Sequence, residues 1–124
     1  MAHRSYNSKP TVLLLADRRK SRTARMLKNT GYHVVTTFTP DHAVAICVNN
    51  NRVSAVILDQ EHFVETEGWS VAKSLKMIRR NLCVILVVHG GLVAQDAPNG
   101  VDAIVAHHDG QSLVKFLGEL LGAA

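Results

Sequence analysis

Short apolar runs recur along the chain, and each closes on a polar or ionisable residue. Thr11–Ala16 is apolar up to Asp17, the pattern of a strand buried on both faces. Arg19–Asn29 follows as a helix, with Thr23, Ala24 and Leu27 at helical spacing and Gly31 placed to stop it. His33–Phe38 is rich in β-branched residues and reads as a second strand. Thr39-Pro40 supplies an N-cap and a first-turn proline for a helix to about Val48, with Val44 and Val48 on one face; the run Asn49–Asn51 ends it. Val53–Leu58 is the third strand and closes on Asp59. A polar loop, Gln60–Gly68, leads into a helix from about Trp69 to Arg80 with Val71, Leu75 and Ile78 in register.

Cys83–Val88 is the fourth strand, followed by His89-Gly90-Gly91. Leu92–Asn99 is a poor helix candidate, being short and containing Pro98. Val101–Ala106 is a fifth strand and ends at His107-His108. Asp109 then caps a last helix with an apolar stripe of Leu113, Phe116, Leu117 and Leu120, and Gly122 lies beyond its end. Five buried strands alternating with helices predict one doubly wound α/β domain, a parallel sheet with helices on both faces. The domain spans 11–122, behind a flexible tail at 1–10. Such sheets place ligands at the carboxyl ends of their strands. Here that edge carries Asp17, Asp59, His89, His107 and His108.

Composition narrows the class. The 124 residues are 47% hydrophobic and 19% charged, as in a globular protein able to bury a core without disulfides or metals. No apolar run approaches the roughly 20 residues of a membrane span, and the first ten residues have no signal-like core, so a cytoplasmic protein is expected. Cys47 and Cys83 lack metal or redox spacing and read as buried free thiols. The formal charge of +4 is concentrated in Arg18, Arg19, Lys20, Arg22, Arg25 and Lys28. A solvated helix face explains that cluster, with phosphate binding as the alternative. No aromatic side chains interleave with it to stack on bases, which argues against nucleic acid.

The strand ends carry a family resemblance. Val-Ser-Ala-Val-Ile-Leu-Asp at Val53–Asp59 resembles the third strand of response-regulator receiver domains, which ends in the phosphoacceptor aspartate. Leu13-Leu14-Leu15-Ala16-Asp17 resembles their first strand, which leads to an acidic pair that helps hold Mg²⁺. Gly100-Val101-Asp102-Ala103 resembles the Gly-Ala-Asp segment opening their fifth strand. The similarity runs from about Thr11 to Gly122 and implies a flavodoxin-like five-stranded sheet, with Asp59 at the phosphoacceptor position.

The departures shape the functional expectation. The acidic pair is reduced to Asp17, followed by Arg18, and the hydroxyl residue ending strand four aligns with Val88. The lysine ending strand five aligns with His107, and the proline after it with His108. The usual Met-Pro after the phosphoacceptor is absent. Phosphoryl transfer to an aspartate depends on positioning and charge neutralisation by a metal and fixed donors. Asp17 and Asp59 leave a weak Mg²⁺ site, with Glu61 as a further oxygen donor, and Arg18 either repels the cation or pairs with Asp59. Val88 has no proton to donate to a phosphoryl group, and His107 carries a lysine-like charge only when protonated.

The resulting expectation is a pseudo-receiver, not an enzyme, that acts by protein–protein interaction. One alternative is a phospho-accepting receiver using Asp59 with Mg²⁺. The other is a small-ligand or transition-metal module using Asp17, Asp59, His89 and His107, with His108 beside them. Gly90-Gly91 reads as a turn, and no nucleophile–base arrangement suggests a hydrolase. The resemblance implies a histidine kinase, phosphotransfer protein or output domain as partner, docking on Arg19, Arg22, Arg25 and Lys28. The irregular Leu92–Asn99 segment implies a monomer or weak dimer.

Overall fold

The computed structural model describes residues 10–18, 21–60, 65–89, 100–107 and 109–121. Its elements are β1 (Thr11–Ala16), α1 (Arg22–Asn29), β2 (His33–Thr37), α2 (Pro40–Asn49), β3 (Val53–Asp59), α3 (Glu65–Ile78), β4 (Cys83–Val88), β5 (Ala103–Ala106) and α4 (Gly110–Leu121). All five strands are parallel, in the order β2-β1-β3-β4-β5. The order reverses between β1 and β3, where doubly wound sheets open a crevice beyond their carboxyl ends.

Strand alternation divides the core into two layers. Val12, Leu14, Ala55, Ile57, Ile85, Val87 and Val105 pack on one face with Ala24 and Leu27 of α1 and Leu113 and Leu117 of α4. Leu13, Leu15, Val56, Leu58, Val84 and Leu86 pack on the other with Ala43 and Cys47 of α2 and Ala72 and Leu75 of α3. Pairing between β1 and β3 shifts after Thr11–Val53, so that Val12 faces Ala55 and Ser54 is skipped. The shift sets the parity of β3, and with it the face reached by Asp59.

The helix ends follow from their caps. Ser21 accepts a hydrogen bond from the Ala24 amide, so α1 starts at Arg22 and not at Arg19 as expected. Thr39 caps α2 with Pro40 at its start, and Asp109 accepts from the Ser112 amide at the head of α4, both as expected. Gly31 follows the end of α1 with a φ of 104°, in the left-handed region.

Further expectations need correction, among them Ile78 and Leu120, which were expected on apolar stripes and are exposed. Helix α3 begins at Glu65, inside the stretch read as loop, because a polar stretch without proline is as compatible with a helix as with a loop. The inner stripe of α2 is Ala43 and Cys47, while Val48 is 60% exposed. Strand β5 begins at Ala103, although Asp102 already donates its amide to the Val84 carbonyl at 2.8 Å. The expected tail other than Pro10, the 90–99 connection, Arg19, Lys20, Glu61, His108 and Gly122 lie outside the described residues.

Candidate functional site

The site grows out of strand parity. Past the irregularity at Ser54, odd-numbered residues of β3, and those of β4 and β5, face the α1–α4 layer, as Ala55, Ile57, Ile85, Val87, Ala103 and Val105 do. Carried to the carboxyl edge, the same alternation aims Asp59, His89 and His107 at one point above that layer. Asp17 has the opposite parity, that of Leu13 and Leu15, which face α2 and α3.

Asp59 is the centre. It is 5% exposed at the end of the central strand β3. Both its carboxylate oxygens are engaged: Thr23 Oγ1 donates to Oδ2 at 2.5 Å, and His89 Nε2 lies 2.5 Å from Oδ1. The His89 ring stacks on His107 with centroids 4.1 Å apart and planes inclined by 28°. One ligand-type atom from each of Asp59, His89 and His107 lies within 4.8 Å of the other two. His107 also lines a cleft of about 210 Å³ with Arg22, Thr23, Met26 and Gly110.

The remaining expected residues fall around this centre. Asp17 and Arg18 are exposed just past β1 and are not members of the three-residue cluster. Val88 packs against the α2–α3 layer, so the residue that reaches Asp59 from this chain segment is His89, just past the end of β4. The amide of His107 donates to the Val88 carbonyl at 2.9 Å and holds the two histidine-bearing ends together. Arg22, Arg25 and Lys28 are exposed on α1.

Sequence reasoning missed two members of the site. Thr23 lies on the packing stripe of α1, and its hydroxyl is what holds Asp59. Gln60, 2% exposed, donates its side-chain amide to the carbonyls of Ala16 at 3.0 Å and Phe38 at 2.8 Å, tying together the ends of β1, β2 and β3. The signal was a hydroxyl on an apolar helix face, and an amide beside the strand-end carboxylate.

Chemically, the centre among the described residues offers one carboxylate, one hydroxyl and two imidazoles. Mg²⁺ demands hard oxygen donors in near-octahedral array and is poorly served by ring nitrogen. This donor set does not fit Mg²⁺.

No protein-family model matches the chain, and no curated protein matches it. Solved structures do. A CheY-like response-regulator receiver domain protein from Methanospirillum hungatei is 20% identical with a TM-score of 0.74, covering 93% of this chain and 95% of the other. A response-regulator receiver protein from Sinorhizobium medicae is 20% identical with a TM-score of 0.72, covering 93% and 96%. A chain from the complex of histidine kinase ThkA with response regulator TrrA is 18% identical with a TM-score of 0.69, covering 90% and 98%. The chain therefore has the fold of response-regulator receivers. Among the described residues, no helix is long and apolar enough to cross a membrane.

Proposed function

We propose that the domain is a receiver-like regulatory module that acts by protein–protein interaction, without a phosphorylation switch at Asp59. One observation carries this reading: the Asp59 carboxylate is buried and already engaged at both oxygens, by Thr23 and by His89. An attacking carboxylate oxygen needs open space in line with the incoming phosphoryl group and cations to neutralise the charge that develops. The His89 ring stands where that space would be, and neither Val88 nor His107 supplies what a serine or threonine and a lysine would.

The partner is a protein such as a histidine kinase, a phosphotransfer protein or an output domain. The likeness to a chain crystallised in a kinase–regulator complex supports that class. The exposed Arg22, Arg25 and Lys28 of α1 suit an acidic docking surface, whose binding would weaken as salt rises.

The test is an NMR titration of chelator-washed protein with Mg²⁺ and then beryllofluoride, comparing wild type with Asp59→Asn. The expected result is no saturable shift around Asp59 or His107 at millimolar metal. Saturable shifts that vanish in Asp59→Asn would establish a phospho-accepting pocket and sink this reading.

A further inference from the structure

We infer that the pocket at Asp59 is a transition-metal site, taking Zn²⁺ through Asp59 Oδ1 and one ring nitrogen each of His89 and His107. The inference goes beyond the interaction module proposed above and stands on its own geometry. Three ligand atoms of the type zinc prefers come from three separate strand ends and already lie within 4.8 Å of one another. Bonds of about 2.0–2.2 Å to a tetrahedral ion put its ligands about 3.3 Å apart.

The adjustments needed are small. The Asp59–His89 contact of 2.5 Å opens by under about 1 Å, and the stacked rings, now 4.1 Å apart, spread to about 5 Å. Both histidines lie just past the ends of their strands, so side-chain rotation supplies this movement without disturbing the sheet.

The surroundings match a metal centre. Thr23 holds Oδ2, which fixes the carboxylate plane and leaves Oδ1 as the single metal-facing oxygen; such outer hydrogen bonds orient ligands and raise affinity. Burial of Asp59 makes a countercharge favourable there, and a divalent ion provides it. Three protein ligands leave a fourth position, and the cleft lined by Arg22, Thr23, Met26 and Gly110 gives a water or small donor access beside His107.

The proton balance is simple. In the metal-free form the His89 Nε2 proton lies between that nitrogen and Asp59 Oδ1. A metal bonded to Nε2 requires its lone pair, so the proton moves to Nδ1 or to solvent, and the Asp59–His89 hydrogen bond is replaced by two metal bonds.

The experiment titrates the full chain with Zn²⁺ in competition with a chromophoric chelator, and follows visible absorption with Co²⁺ as the substitute ion. One equivalent of Zn²⁺ is expected, with Co²⁺ giving the intense bands of a four-coordinate site. Affinity should fall at least tenfold in His89→Ala, in His107→Ala and in Asp59→Asn, and stay unchanged in His33→Ala, whose histidine is exposed at the start of β2. If Asp59→Asn fails to fold, the two histidine variants decide. No binding at micromolar Zn²⁺ overturns the inference, as does binding that survives both histidine substitutions or falls equally in His33→Ala. The beryllofluoride experiment uses a different ion and reports on phosphorylation alone, so either proposal can fail without the other.

Discussion

A buried carboxylate is tolerated only when donors replace the water it has lost, and Asp59 takes one of them from Thr23 across the α1–β3 contact. Valine has the shape of threonine without the hydroxyl, so Thr23→Val leaves packing intact and one buried charged oxygen unpaired. Urea denaturation should show a loss of about 1–3 kcal/mol, and Thr23→Ser should recover most of it. An unchanged midpoint in Thr23→Val would mean that Oδ2 finds another donor. Asp59 was legible in the sequence because it closes an apolar run. Its company was legible only in principle, since counting by twos along β3, β4 and β5 brings Asp59, His89 and His107 to one face. The residue-by-residue alignment instead pointed to Val88, whose side chain belongs to the opposite layer. Asp17 also closes an apolar run, yet it lies exposed past β1 and outside the cluster of Asp59, His89 and His107, because adjacency to a strand end says nothing of the face reached.

At the scale of elements, the order of strands and helices could be read almost completely, because parallel strands buried on both sides leave continuous apolar runs. Helix phase was harder. In α2 and α3 apolar residues occupy neighbouring positions, and the small side chains Ala43, Cys47 and Ala72 took the sheet-facing places while Val48 turned outward. Periodicity counts apolar residues; close approach to a sheet selects small ones. Glycine shows the same distinction with opposite signs. Gly100 has a φ of +96°, and a Cβ there would lie 3.2 Å from the Lys73 backbone of α3. Gly118 sits inside α4 with nothing within 4 Å of an added Cβ. Gly100→Ala should therefore cost on the order of 2–3 kcal/mol, from the left-handed backbone and a main-chain clash that no rotamer relieves. Gly118→Ala should gain about 0.5–1 kcal/mol from helix propensity alone. Chemical denaturation of the two variants reads both signs, and equal effects would contradict the close approach at Gly100.

For the whole molecule, one sheet shared by two apolar layers makes stability a property of the entire chain, and alkaline pH tests it through Cys83. This buried thiol has its pKa raised to about 11, first by burial and then by the neighbouring Asp102 carboxylate, against a smaller opposing effect of Lys76. Asp102 is held in place by its 2.8 Å ion pair with Lys76 and by the Val84 amide at 2.7 Å, so its charge stays beside β4. An unfolded cysteine loses its proton near pH 9, the folded one only near 11. Between those values the native state binds more protons than the unfolded chain, so unfolding free energy falls as pH rises. The contribution is complete below pH 9 and is lost at roughly 1.4 kcal/mol per unit up to about 11, on the order of 2–3 kcal/mol in all. Comparison with Cys83→Ala removes the effect of every other group that the two proteins share. The variant should be the less stable protein at neutral pH, through the small cavity left by the thiol. The gap should then narrow steadily above pH 9 in urea titrations at successive pH values. A gap that stays constant from pH 7 to 11 would mean that the folded thiol ionises as freely as the unfolded one, and that the β4 face of the core admits water.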